Sequence, residues 1–83
     1  MPRLIIDLLP DKQVKPYEII TSQDDYVVKL FDTKDPYFDE YLAYQIDTAI
    51  KVYKIDEVIF THYGKQKIKK MEKLFPKIQF RAI

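Results

Sequence analysis

The chain has no cysteine and no tryptophan, and among its 83 residues there is one glycine, Gly64, and one histidine, His62. Without cysteine, disulfides and thiolate metal sites are excluded, and cysteine usage says nothing of the redox compartment. With a single glycine there is no glycine-rich phosphate loop, which needs several residues without a side chain close to the phosphates. Long hydrophobic runs are missing too. The amino-terminal stretch around Leu4, Ile5 and Ile6 is too short for a signal peptide and lacks a small-residue cleavage site, so it reads as a first strand of a protein expected in the cytoplasm, with no membrane partner.

Apolar residues make up 47% of the chain and charged residues 33%, which is enough to drive one hydrophobic core over residues 1–83 and too little for two. Sparing use of glycine beside abundant Lys, Ile and Tyr resembles proteins of hot environments, although a genome poor in G and C would enrich the same three residues.

Residues 3–9 are apolar after Arg3 except for Asp7 and end at a Pro-Asp turn pair, the pattern of a strand. Residues 17–21 and 26–31 are rich in β-branched and aromatic side chains and flank a polar tetrapeptide, which predicts a β-hairpin. Asp35 as cap and Pro36 at the first helical position then predict a helix over 37–54, its core stripe formed by Phe38, Leu42, Ile46, Ala49 and Tyr53. A short apolar strand over 56–61 follows. Next comes a helix over 65–75 with Ile68, Met71, Leu74 and Phe75 inward, and after Pro76 a last strand over 77–83. The order is β-β-β-α-β-α-β. The expected fold is α/β: a five-stranded mixed sheet covered by two helices, its second half a right-handed βαβ crossover.

That order, together with Ile55, Asp56, Glu57, Val58, Ile59, Phe60, Thr61, His62, Tyr63, Gly64 and Lys65 leading into a helix and then Lys77, Ile78, Gln79 and Phe80, resembles the small dinitrogenase iron-molybdenum cofactor-binding family. The resemblance implies a ribonuclease H-like topology. The family's further loop glycines and its glycine-histidine motif are not in this chain, so no cofactor is carried over. In general character the chain also resembles the orphan proteins of archaeal viruses, which would place it in a host cytoplasm.

Four constellations carry possible chemistry. The first is the loop holding Thr61, His62, Gly64 and Lys65, at the carboxyl end of an expected parallel strand and the start of a helix, where sheets of this type take ligands and helix amides favour anions. A plain turn with a surface histidine explains the same residues. The second is nuclease-like: Asp7 with Asp32, Asp47 or Asp56 holding Mg²⁺, against which Asp47 is expected to face solvent and Asp7 to be a solvated or salt-bridged strand residue.

The third is charge. Residues 1–60 hold seven Lys/Arg against twelve Asp/Glu, a net of −5, and residues 61–83 hold seven against one, a net of +6. Lys65, Lys69, Lys70 and Lys73 share one helical arc, with Lys77 and Arg81 beyond, a stripe suited to nucleic-acid phosphates or simply to solubility. The fourth is the first helix, where Tyr37, Tyr41 and Tyr44 with Val52 form a second apolar face that a monomer of this size would struggle to bury, although Tyr37 and Tyr44 lying flat on the surface with their hydroxyls in water explain the same residues. The sequence therefore points to a non-enzymatic interaction module, homodimeric through Tyr37, Tyr41 and Tyr44. Nucleic-acid binding is the alternative and a metal-dependent nuclease the third reading.

Overall fold

A computed structural model describes residues 2–9, 23, 25–31 and 36–82. Strands β1 (Arg3–Leu9) and β2 (Asp25–Phe31) are followed by helix α1 (Phe38–Tyr53) and strand β3 (Glu57–Phe60). A 3-10 turn (His62–Lys67), helix α2 (Ile68–Leu74) and strand β4 (Gln79–Ala82) complete the order. The protein is α/β.

The sheet differs from the one expected. Among the described residues it has four strands in the order β2-β1-β3-β4, and all three pairings are parallel. The fifth expected strand, at 17–21, lies outside the described residues, so the hairpin does too. What the structure does show is β2 lying directly beside β1 in parallel, Arg3 level with Asp25 and Leu9 level with Phe31. A meander would make neighbours antiparallel; no antiparallel pair occurs among the described strands.

A row of alternating charge holds this register. The Arg3 guanidinium grips Asp25 with two hydrogen bonds of 2.8 and 2.7 Å and lies 3.9 Å from Glu57, which in turn accepts from Arg81 at 3.1 Å. Asp25, Arg3, Glu57 and Arg81 thus cross all four strands in their spatial order, and hydrogen bonding to Asp25 holds the Arg3 guanidinium above its ordinary range. Bidentate pairing of this kind adds geometric specificity as well as attraction.

Alternation along the strands sends Leu4, Ile6, Leu8, Val58 and Phe60 to one face, where they meet Phe38, Leu42, Ile46 and Ala49 of α1 and Met71 of α2. Each such side chain contributes about 1.5–3 kcal/mol when fully buried. Both helices therefore lie on one side. Ile5, Asp7 and Ile59, on the alternate positions, are also buried.

Two helix boundaries move. Pro36 sits in a turn ahead of α1, not at its first position, and Tyr37 is the N-cap, its carbonyl accepting from the Tyr41 N–H at 3.0 Å; Asp35 lies outside the described residues. The second helix starts as a 3-10 turn and its α-helical part has only seven residues. Leu74, expected inward, is exposed because the helix ends on it, and Tyr53, expected in the core stripe, instead stacks on Tyr26 with ring centroids 4.1 Å apart at the rim.

Candidate functional site

In the order β2-β1-β3-β4 the chain leaves β1 toward one edge and β3 toward the other, so the carboxyl ends of β1 and β3 flank a topological switch point. The loop holding Thr61, His62, Gly64 and Lys65 stands there, as its sequence predicts. Its polar groups are largely engaged within the fold. The Thr61 hydroxyl accepts from the Leu8 N–H at 3.1 Å and donates to the Leu8 carbonyl at 3.2 Å, latching β3 to β1. The Gly64 N–H donates to the Thr61 carbonyl at 2.8 Å. Gly64 is glycine because of what it touches, since its φ is not positive: a Cβ there would lie 2.7 Å from Phe60 Cδ1 and 3.3 Å from Leu8 Cβ. Lys65 is exposed, and the His62 side chain lies outside the described residues.

Asp7 is the surprise of this end of the sheet. Expected to be solvated or salt-bridged, it is 0% exposed, and neither carboxyl oxygen has a hydrogen-bond partner among the described residues. Its neighbours Ile5 and Ile59 on the alternate face are buried with it, whereas Val27 and Lys29 at the β2 edge are exposed. Lys29 is level with Asp7 on β2 yet makes no ion pair with it. The other acids proposed to join it do not converge: Asp47 pairs with Lys51 on α1 at 2.9 Å, Asp56 precedes β3 at the opposite end of the sheet, and Asp32 lies outside the described residues. Among the described residues no three His, Cys, Asp or Glu are grouped to hold a metal ion.

The lysine stripe is divided by the tertiary structure. Lys70 and Lys67 both clamp Asp39 of α1, at 2.7 and 2.9 Å, and Lys67 also lies over the Phe38 ring at 5.5 Å. Hydrogen bonds from Lys70 and then Lys67 hold the Asp39 carboxyl below its ordinary range. A depressed carboxylate stabilises the fold fully above its unfolded value and loses that contribution as pH falls through the folded one, so this α1–α2 clamp is at full strength at neutral pH and released only in acid. Arg81 pairs with Glu57 and, on alternate positions from Phe80, points to the sheet face away from α2. Lys65, Lys69, Lys73 and Lys77 remain exposed, with no ion-pair partner among the described residues.

The first helix carries the least satisfied surface. Tyr37, Tyr41, Tyr44 and Val52 are 68%, 48%, 64% and 63% exposed. At 100° per residue they fall with Thr48 in one stripe along the side of α1, centred about 115° round the helix from the core positions Phe38, Leu42, Ile46 and Ala49. Assigning roughly 200 Å² to a whole tyrosine, the stripe offers about 400 Å² of apolar-bodied surface, in the range of the largest patches that monomers leave open. Its flank is polar: Glu40, Asp47 and Lys51.

These features define a small α/β protein on a parallel sheet with one apolar helix face turned outward. No protein family, curated protein or solved structure matches the chain. No described helix is long and apolar enough to cross a membrane.

Proposed function

We propose that this chain is a non-enzymatic, self-associating interaction module whose contact surface is the exposed tyrosine stripe along the side of α1. The continuous exposed stripe of Tyr37, Tyr41, Tyr44 and Val52 carries the reading. Tyrosine suits such a role because it pairs a large apolar body with a hydrogen-bonding tip, and aromatic residues are enriched where proteins meet. The stripe is about half of the roughly 800 Å² that each partner gives to a standard interface, so association is weak, on the order of micromolar to tens of micromolar. Sedimentation across a concentration series is expected to show a mass that rises toward a dimer. Tyr41→Glu, which places a charge mid-stripe without touching the core, should hold the protein at monomer mass with an unchanged circular dichroism spectrum. A monomer at every concentration of the unmodified protein would sink the reading.

The exposed Lys65, Lys69, Lys73 and Lys77, without ion-pair partners among the described residues, favour a second reading, contact with nucleic-acid phosphates. With Lys70 and Arg81 committed to Asp39 and Glu57, at most four of the six stripe cations are free for it. Binding to labelled DNA or RNA would then fall steeply between roughly 50 and 200 mM salt, with a slope set by about four phosphate contacts. No binding at the lower salt leaves these lysines as solubilising residues.

A further inference from the structure

The stripe on α1 has a symmetry that selects how a second copy would sit on it. Tyr41 precedes Tyr44 by three residues and Thr48 follows it by four; Tyr37 precedes it by seven and Val52 follows by eight. Reversing the helix end for end about a point just after Tyr44 therefore lays the stripe onto itself, Tyr37 against Val52 and Tyr41 against Thr48. This is the property an isologous two-fold contact requires, in which residue i meets j and j meets i.

The charged flank discriminates between directions. Glu40 and Lys51 are eleven residues apart, three turns of helix, so they stand on the same flank of the stripe about 16 Å apart along the axis. A two-fold axis perpendicular to the helix keeps that flank on the same side in both copies and exchanges its ends. Glu40 then comes level, within about 3 Å along the axis, with both Asp47 and Lys51 of the second copy; Lys51 stands nearer the stripe, about 60° round the helix from its centre against about 100° for Asp47, so the contact Glu40 meets first is the attractive one. Parallel pairing instead puts Glu40 of the two copies at one level on opposite flanks, and aligns the helix dipoles unfavourably. Glu40 has no ion-pair partner among the described residues, and the Lys51 side chain, 73% exposed and held only by Asp47 one turn back, is free to be shared.

We infer that the partner at this face is a second copy of the chain docked antiparallel, with Tyr44 beside the two-fold axis and Glu40 of each protomer set against the partner's Lys51. The inference rests on the self-association proposed above and adds its direction and register. Two such pairs form per dimer, and charge complementarity of this kind sets register and partner choice more than raw affinity.

Charge reversal tests it. Alone, E40K faces two cations with two cations, and K51E faces acids with acids, so each variant should dimerise about tenfold more weakly than the unmodified protein at low salt. Mixed in equal amounts, the two variants restore both attractive pairs. The mixture, and separately the double variant E40K/K51E, should return to within about threefold of the original affinity, an effect that salt reduces. Circular dichroism on each variant confirms that α1 persists. If both single variants dimerise like the unmodified protein, or if mixing and the double swap fail to rescue, the antiparallel register is wrong while association sensitive to Tyr41→Glu still stands. If the unmodified protein itself is monomeric, the self-association reading fails first and this one with it.

Discussion

Asp7→Val is expected to make the protein more stable, by about 1–3 kcal/mol in urea unfolding at neutral pH. Asp7 is fully buried on the middle strand β1, and neither oxygen finds a hydrogen-bond donor among the described residues. A polar group in that state has given up water and received nothing in exchange, whereas valine is close to it in size and suits a pleated strand. Asp7→Asn keeps polar atoms in the same place and should recover little. The two variants together separate polarity from packing. Unchanged or reduced stability of Asp7→Val would show that the carboxyl has a partner in solution, and would return attention to the carboxyl end of β1 as a site. A gain would show a side chain retained at a cost to the fold, and residues of that kind concentrate where a protein does something other than fold.

The opposite sign is expected at Gly64. Gly64→Val brings a branched side chain to a point where the first carbon alone would sit 2.7 Å from Phe60 Cδ1 and 3.3 Å from two atoms of Leu8. Phe60 and Leu8 are themselves fully buried, so neither has open space to move into. Overpacking of this kind costs about 1–3 kcal/mol, and here the loop must also keep the Gly64 N–H on the Thr61 carbonyl. Denaturant midpoints for Gly64→Ala and Gly64→Val should fall in that order. A Gly64→Ala protein as stable as the original would mean that the loop is looser than its contacts indicate and that the glycine serves the approach of something else.

Both expectations concern the same few ångströms, where the end of β1, the end of β3 and the loop after it meet. The sequence places that loop correctly and names its residues as a candidate anion site. The tertiary structure spends the Thr61 hydroxyl and the Gly64 amide on the sheet itself, and the α-helical part of the element that follows is too short for a strong dipole.

The sequence by itself determined what depends on near neighbours along the chain. The spacing of Phe38, Leu42, Ile46 and Ala49 defines α1 to within a residue at each end, and the same arithmetic exposes its second face, because a helix repeats at 3.6 residues whatever surrounds it. The apolar runs of β1, β2 and β3 are legible for a similar reason. Which strands pair, and in which direction, is not, since alternation tells a strand its two faces and nothing of its neighbour. Only the tertiary structure decided that residues 25–31 lie parallel to β1, which sets Asp25 beside Arg3, and that β3 and β4 follow in register, which carries the charge row on to Arg81; the burial of Asp7 was decided there too. The division of the lysine stripe has the same origin. Lys67 and Lys70 look like their neighbours in the sequence, and they become structural because Asp39, 28 and 31 residues earlier, is brought against them by the packing of α1 beside α2.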